Sequence, residues 1–377
     1  MRIEQLLWTS QNGWQPAAPA LQDAGLVLIF GATDRLDFQR LEELRAFYPV
    51  AHQFGCSTAG EIQDVQVHDD AIAVTAVGFS TTELQLVQQA VAQPADSAAA
   101  GAALAALLPR DGLRHVLVLS DGLHVNGTEL VRGLKGGLPA AVEVTGGLSG
   151  DGARFARTLV IADAPPQERL VAAVGFYGER LRVGYGSLGG WDAFGPDRLI
   201  TRSEGNVLYE LDGQSALALY KQYLGEHADG LPATGLLFPL ALCDEDGCSE
   251  GNGLVRTILA VDEAAQSMTF AGDMPQGRHV RLMKANFDRL VEGAAGAARV
   301  VKGGLRDAQL AVLVSCVGRK LVLKQRVEEE VEGVRDVLGE ATRLTGFYSY
   351  GEISPHTPTA RCELHNQTMT ITAFRED

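Results

Sequence analysis

Short, continuous apolar runs recur along the chain, each ending in polar or glycine-rich turns. Residues 25–32 (GLVLIFGA), 115–119 (HVLVL) and 310–314 (LAVLV) are such runs, too short for helices and best read as strands buried on both faces. Helical spacing follows each one. Phe38, Leu41, Leu44 and Phe47 repeat on one face, with Asp34 as the expected cap and Pro49 as the stop. Leu130, Val131 and Leu134 share a face after the second run, and the glutamate-rich residues 321–338 follow the third. Strand-then-helix order of this kind predicts a mixed α/β fold.

Alternating segments fill the intervals. Residues 71–79 and 82–90, 158–162 and 170–177, and 255–261 and 267–271 each read as antiparallel hairpins, because only short turns separate them. Residues 98–108, 215–224 and 280–298 read as helices, and 206–211 and 236–242 as strands. The glycine- and aromatic-rich stretch 184–196 marks a connection to the second half, either a cleft cover or a coiled surface link.

One motif returns. Gly55-Cys56-Ser57-Thr58-Ala59-Gly60-Glu61-Ile62 is echoed by Gly346-Phe347-Tyr348-Ser349-Tyr350-Gly351-Glu352-Ile353. A histidine opening a β-patterned segment follows each, His68 in the first copy and His365 in the second. The repeat predicts two duplicated mixed-sheet units, divided as 1–200 and 201–377, with a four-layer α-β-β-α sandwich as the favoured packing.

Composition narrows the class. With 377 residues, 46% hydrophobic and 21% charged, the chain fits two soluble globular domains, or three small ones. A formal charge of −15 argues against a general nucleic-acid binder. No secretory signal and no membrane-length apolar segment is visible, and five scattered cysteines fit a reducing compartment, so a cytoplasmic protein is expected. Cys243 and Cys248 are spaced too widely for a zinc knuckle.

Catalytic patterns are sparse. There is no phosphate loop, no zinc-protease helix and no dinucleotide fingerprint, and residues 55–60 miss the nucleophile elbow by one position. A hydrolase or transferase using Cys56 or Cys316 is an alternative, but the residues point to a binding protein rather than an enzyme. Glu61 and Glu352 are placed to bind an amine, to cap backbone amides or to pair with Arg319. Arg319, at the start of a helix, either holds a carboxylate or forms a salt bridge with Glu328, Glu329 or Glu352. Asp121, Asn126 and Ser315 complete a polar lining. A neutral imidazole of His365 or His68 is a candidate ligand for haem iron.

The motifs resemble those of the FIST family, named for F-box and intracellular signal transduction proteins. The first repeat and residues 120–134 (SDGLHVNGTELVRGL) look like its N-terminal part. Residues 235–239, 270–273, 315–319, 346–353 and 362–368 look like its C-terminal part. The resemblance implies a sensory module for small molecules, with amino acids among the proposed ligands. Both halves take up the chain, so no output domain is expected within it. Stand-alone bacterial members of this size include haem-containing nitric-oxide sensors that regulate a histidine kinase or a cyclic-di-GMP enzyme. Haem is the sharpest ligand expectation on that basis, and a non-haem binder of an amino acid or similar small molecule is the alternative.

Overall fold

A computed structural model describes residues 1–243, 254–355 and 360–377; Cys248 lies outside them. Its strands form three six-stranded sheets and one eight-stranded sheet, so the mixed α/β class holds. Within this architecture the same strand-helix-strand unit occurs three times.

Each unit pairs two strands in parallel across a helix. In the first, Leu26–Gly31 and His52–Ser57 flank the helix Phe38–Phe47. In the second, Leu113–Ser120 and Glu143–Leu148 flank Gly127–Gly137. In the third, Leu310–Cys316 and Arg343–Ser349 flank Val317–Leu323 and Val327–Leu338. Return strands Ile72–Gly78, Leu170–Tyr177 and Met369–Glu376 lie antiparallel on the other side. The opening strands Arg2–Thr9, Glu83–Ala90 and Leu181–Leu188 pair with these. The third unit therefore draws on both sides of residue 200.

The middle copy of the turn motif is Gly146-Gly147-Leu148-Ser149-Gly150-Asp151-Gly152-Ala153. It has no glutamate, and its acid falls one position early, so the G-E-I ending is absent. Gly55, Gly146 and Gly346 occupy the same place, opposite Ile29, Val118 and Leu313 on the parallel neighbour. A Cβ at these glycines would stand 2.0, 1.8 and 1.9 Å from those residues' carbonyl oxygens, so only glycine lets the strands close.

After the turn, each unit lends strands to a neighbour. Glu61–Gln63 joins the third unit's sheet, Val160–Ala162 the first unit's, and Gly351–Pro355 the second unit's. The exchange closes a ring. It also overturns two expected hairpins: Ile72–Gly78 and Glu83–Ala90 lie in different sheets, as do Val160–Ala162 and Leu170–Tyr177. Short turns signalled pairing, but the exchanged strands route the chain between sheets. The hairpin of Ile258–Asp262 with Ser267–Phe270 forms as expected.

The three sheets share one apolar core. Phe30 stacks on Phe347 at 4.8 Å and Phe176 meets Phe374 at 5.0 Å between centroids, and all four are buried. Helices cover the outer faces through Leu44, Leu134, Leu290 and Val334. Local signals set their starts: Asp37, not Asp34, caps the first helix through Arg40 N, and Asn126 caps Gly127–Gly137 through Glu129 N.

The eight-stranded sheet is inserted into the third unit, between Leu181–Leu188 and the helix Phe287–Gly304. Its longest strand, Asp192–Glu204, starts within the stretch expected to be a connection. His279–Lys284 is a strand of this sheet, where a helix over 280–298 was expected; Asn286 caps the helix that follows. The alternation of buried Val280 and Leu282 fits the strand, whereas helical spacing starts only at Phe287. The helix Ala216–Leu224 packs Leu217 and Tyr220 into this sheet's own core.

Candidate functional site

A cleft of about 790 Å³ opens where the inserted sheet faces the second and third units. One wall is the loop 122–127, which follows Leu113–Ser120. A second wall is formed by Cys316, Val317 and Gly318 after Leu310–Cys316, together with Tyr350 and Asn366. Thr257, Leu259 and residues 270–273 face them from the inserted sheet. Ligands of α/β proteins gather at such carboxyl ends of buried strands.

Asp121 is fully buried behind the first wall. Its Oδ1 accepts from Leu123 N and His124 N at 2.8 Å each, and its Oδ2 from Arg169 N at 2.7 Å. It shapes the loop without reaching the cleft. Asn126 does line the cleft, while its Oδ1 accepts from Glu129 N.

Arg319 is buried behind the second wall. Its Nε and Nη2 reach Glu330 Oε2 at 2.9 and 2.7 Å, Nη2 reaches Leu290 O at 2.7 Å, and Nη1 donates to Gly189 O. The guanidinium is thus committed to an ion pair and backbone carbonyls, and the acid is Glu330 rather than Glu328, Glu329 or Glu352. Ser315 Oγ donates to the same glutamate at 3.0 Å. Neither residue lines the cleft.

Glu61 and Glu352 are buried and equivalently held. Thr58 Oγ1 donates to Glu61 at 2.5 Å and Ser349 Oγ to Glu352 at 2.7 Å, each from three residues earlier. Burial pushes both carboxyls up to about 8 against these hydrogen bonds. His68 and His365 stand directly opposite Glu61 and Glu352 on the next strand. None of these four lines the cleft.

The expected iron ligands do not fit a haem in this cleft. His365 Nε2 lies 2.8 Å from the Ser354 carbonyl oxygen, and His68 sits on the exchanged hairpin Glu61–His68, in another sheet. Among the described residues, no group of three or more His, Cys, Asp or Glu is placed to hold a metal ion. Burial raises the thiols of Cys56 and Cys316 far above the ordinary range, which opposes the thiolate a nucleophile requires.

Other cleft residues were missed in the sequence. Asn366 is 1% exposed and Thr257 5%, yet Asn366 Oδ1 and Thr257 Oγ1 have no hydrogen-bond partner among the described residues. Tyr350 directs its hydroxyl to Asp151 and Gly152 O and stacks its ring on Phe155, with centroids 4.4 Å apart. Asn366 and Tyr350 lie inside stretches whose family pattern was visible; nothing in their residue type marked them out from their neighbours.

A family model described as FIST N domain matches residues 25–214, and one described as FIST C domain matches residues 216–355. The chain belongs to the FIST family. FIST domains are signal-transduction sensor domains that bind small ligands. In this FIST chain the two matched segments meet within the inserted sheet, and both contribute walls to the cleft. No curated protein matches the chain. Among solved structures it is similar to a cyanuric acid hydrolase described as evolutionary innovation by structural concatenation, with 9% identity, 100% of this chain and 99% of that chain covered, and a TM-score of 0.31. The cyanuric acid hydrolase from A. caulinodans gives 11%, 78%, 99% and 0.20. Scores this low carry no argument about function.

Proposed function

We propose that this FIST chain is a cytoplasmic, non-enzymatic sensor whose small-molecule ligand enters the cleft between the inserted sheet and the second and third units. The observation that carries the reading is the pair of unpartnered, buried polar groups on opposite walls, Asn366 and Thr257, in a volume suited to a small organic molecule. A ligand bridging them would bias how the inserted sheet sits on the three-unit body, and a separate signalling protein would read the change. A histidine kinase or a cyclic-di-GMP enzyme is the class of partner the family resemblance suggests. Among the described residues no helix is long and apolar enough to cross a membrane.

Thermal unfolding with a panel of amino acids, nucleobases, dicarboxylates and hemin tests the reading. Leu259, 46% exposed on the cleft wall, is replaced by Trp in the control protein to fill the cleft. At least one compound is expected to stabilise the wild type and not Leu259→Trp. If every stabilising compound acts equally on both proteins, the cleft is not the sensory site. A hemin complex with a Soret band that moves with nitric oxide and is lost in His365→Ala or His68→Ala would favour the haem reading instead.

A further inference from the structure

The walls of the cleft carry little charge. Asp273 is the one charged side chain among its described lining residues. Directly beneath lies Arg256, 3% exposed, whose Nε donates to Asp273 O at 3.2 Å and whose Nη1 donates to Leu364 O at 3.0 Å. An acid on the wall and a buried base behind it offset one another, so the lining selects for neither a strong anion nor a strong cation.

Asn366 is held firmly by its neighbours although its own Oδ1 has no hydrogen-bond partner among the described residues. The next residue, Gln367, uses its carbonyl to accept from Trp191 Nε1 at 2.9 Å. Thr368 donates to Glu352 through its N at 3.1 Å and its Oγ1 at 2.9 Å. The carboxamide beside these anchors leaves its buried Oδ1 without a hydrogen-bond partner among the described residues, a position that holds an unpartnered donor instead if the amide is turned. A buried amide oxygen left so is costly unless something supplies a donor to it.

The same cleft presents an aromatic face. Phe155 is 44% exposed, stands at a φ of +50° and stacks nearly parallel on Tyr350. Asp151 fixes that conformation by accepting from Phe155 N and Ala156 N at 2.9 Å and from Arg157 N at 2.8 Å. A non-glycine residue in the left-handed region with its ring turned out is built to present that ring.

Resting on the cleft as the sensory site, we propose that it selects an uncharged, planar ligand with a hydrogen-bond donor and acceptor side by side, a primary carboxamide or cyclic amide. Such an edge pairs with the Asn366 carboxamide, and the planar body lies in the pocket whose aromatic face is Phe155 on Tyr350. A carboxylate would place two acceptors against one donor and one acceptor, and an amidinium two donors.

Three probes of one shape separate these classes: benzamide, benzoate and benzamidine, titrated calorimetrically into the full chain. Wild type is expected to bind benzamide roughly tenfold more tightly than either ion. Asn366→Asp should reverse the order in favour of benzamidine, because a carboxylate pairs an amidinium through two hydrogen bonds. Phe155→Ala, at an exposed position, should weaken benzamide about fivefold while unfolding at the wild-type temperature. Benzoate binding as well as benzamide, an order unchanged by Asn366→Asp, or no binding of any probe would overturn the ligand class. Should compounds of the wider panel still stabilise wild type but not Leu259→Trp, the sensor reading survives that failure; should none do so, both fall.

Discussion

Glu352 accepts hydrogen bonds from both Thr368 N and Thr368 Oγ1, and so fixes the turn on which Asn366 stands. The residue does not touch the cleft; it sets the position of one that does. Asp121 stands in the same relation to the loop 122–127, and Arg319 to the wall at Cys316–Gly318. The polar side chains most visible in the sequence form a supporting layer behind the residues that face a ligand.

Burial of Glu352 and Glu61 makes stability depend on pH. Both carboxyls are raised to about 8 in the folded chain from an ordinary value near 4.5. Between those values the unfolded chain has released the protons that the folded chain retains, so stability falls as pH rises through this window. Each group contributes a slope of about 1.4 kcal/mol per pH unit there. Denaturant melts at pH 5 and pH 7.5 are expected to show the loss, and Glu61→Gln with Glu352→Gln to flatten it. An unchanged slope in the double variant would mean that both carboxyls ionise freely in the fold.

Arg319 and Glu330 form a buried ion pair whose remaining donors reach backbone carbonyls of Gly189 and Leu290. These link the third unit's short helix to the connection leading into the inserted sheet, at Gly189, and to the helix Phe287–Gly304 that follows it, at Leu290. Glu330→Leu should destabilise the chain by about 3–5 kcal/mol, because it leaves a guanidinium buried without its acid. The double variant Glu330→Leu with Arg319→Met should recover much of that loss. Urea midpoints of the three proteins measure it; equal midpoints for the single and double variants would show that the unpaired charge is not the source.

Strand and helix types were largely legible, because buried runs such as 310–314 and amphipathic spacing such as Leu130, Val131 and Leu134 are local signals. Pairing was not. Nothing near Val160–Ala162 tells that it will lie beside His52–Ser57 of another unit, since exchange between sheets is decided by the whole assembly. The site was legible only in part for a related reason. Charged residues announce themselves by type, but Asn366 matters because its neighbours are all anchored and it is not. Of the polar residues singled out in sequence, Asn126 alone reaches the cleft wall.

The threefold repeat makes its own prediction at Gly55, Gly146 and Gly346. Each stands where a parallel strand crosses close to a neighbour's carbonyl, and an alanine methyl would meet that oxygen at 2.0 Å or less. The obstacle is backbone on a central strand, not the end of a flexible side chain, so the sheet itself must shift. Gly55→Ala, Gly146→Ala and Gly346→Ala should each destabilise the chain by about 1–3 kcal/mol or more, through overpacking. Gly136→Ala, at a helical position with no atom within 4 Å of the added Cβ, should be neutral or slightly stabilising and serves as the control. Because the three sheets share one core, each variant should shift a single cooperative transition of the three-unit body. A variant that melts one unit separately, leaving the rest at the wild-type midpoint, would mean that the exchanged strands do not couple the units.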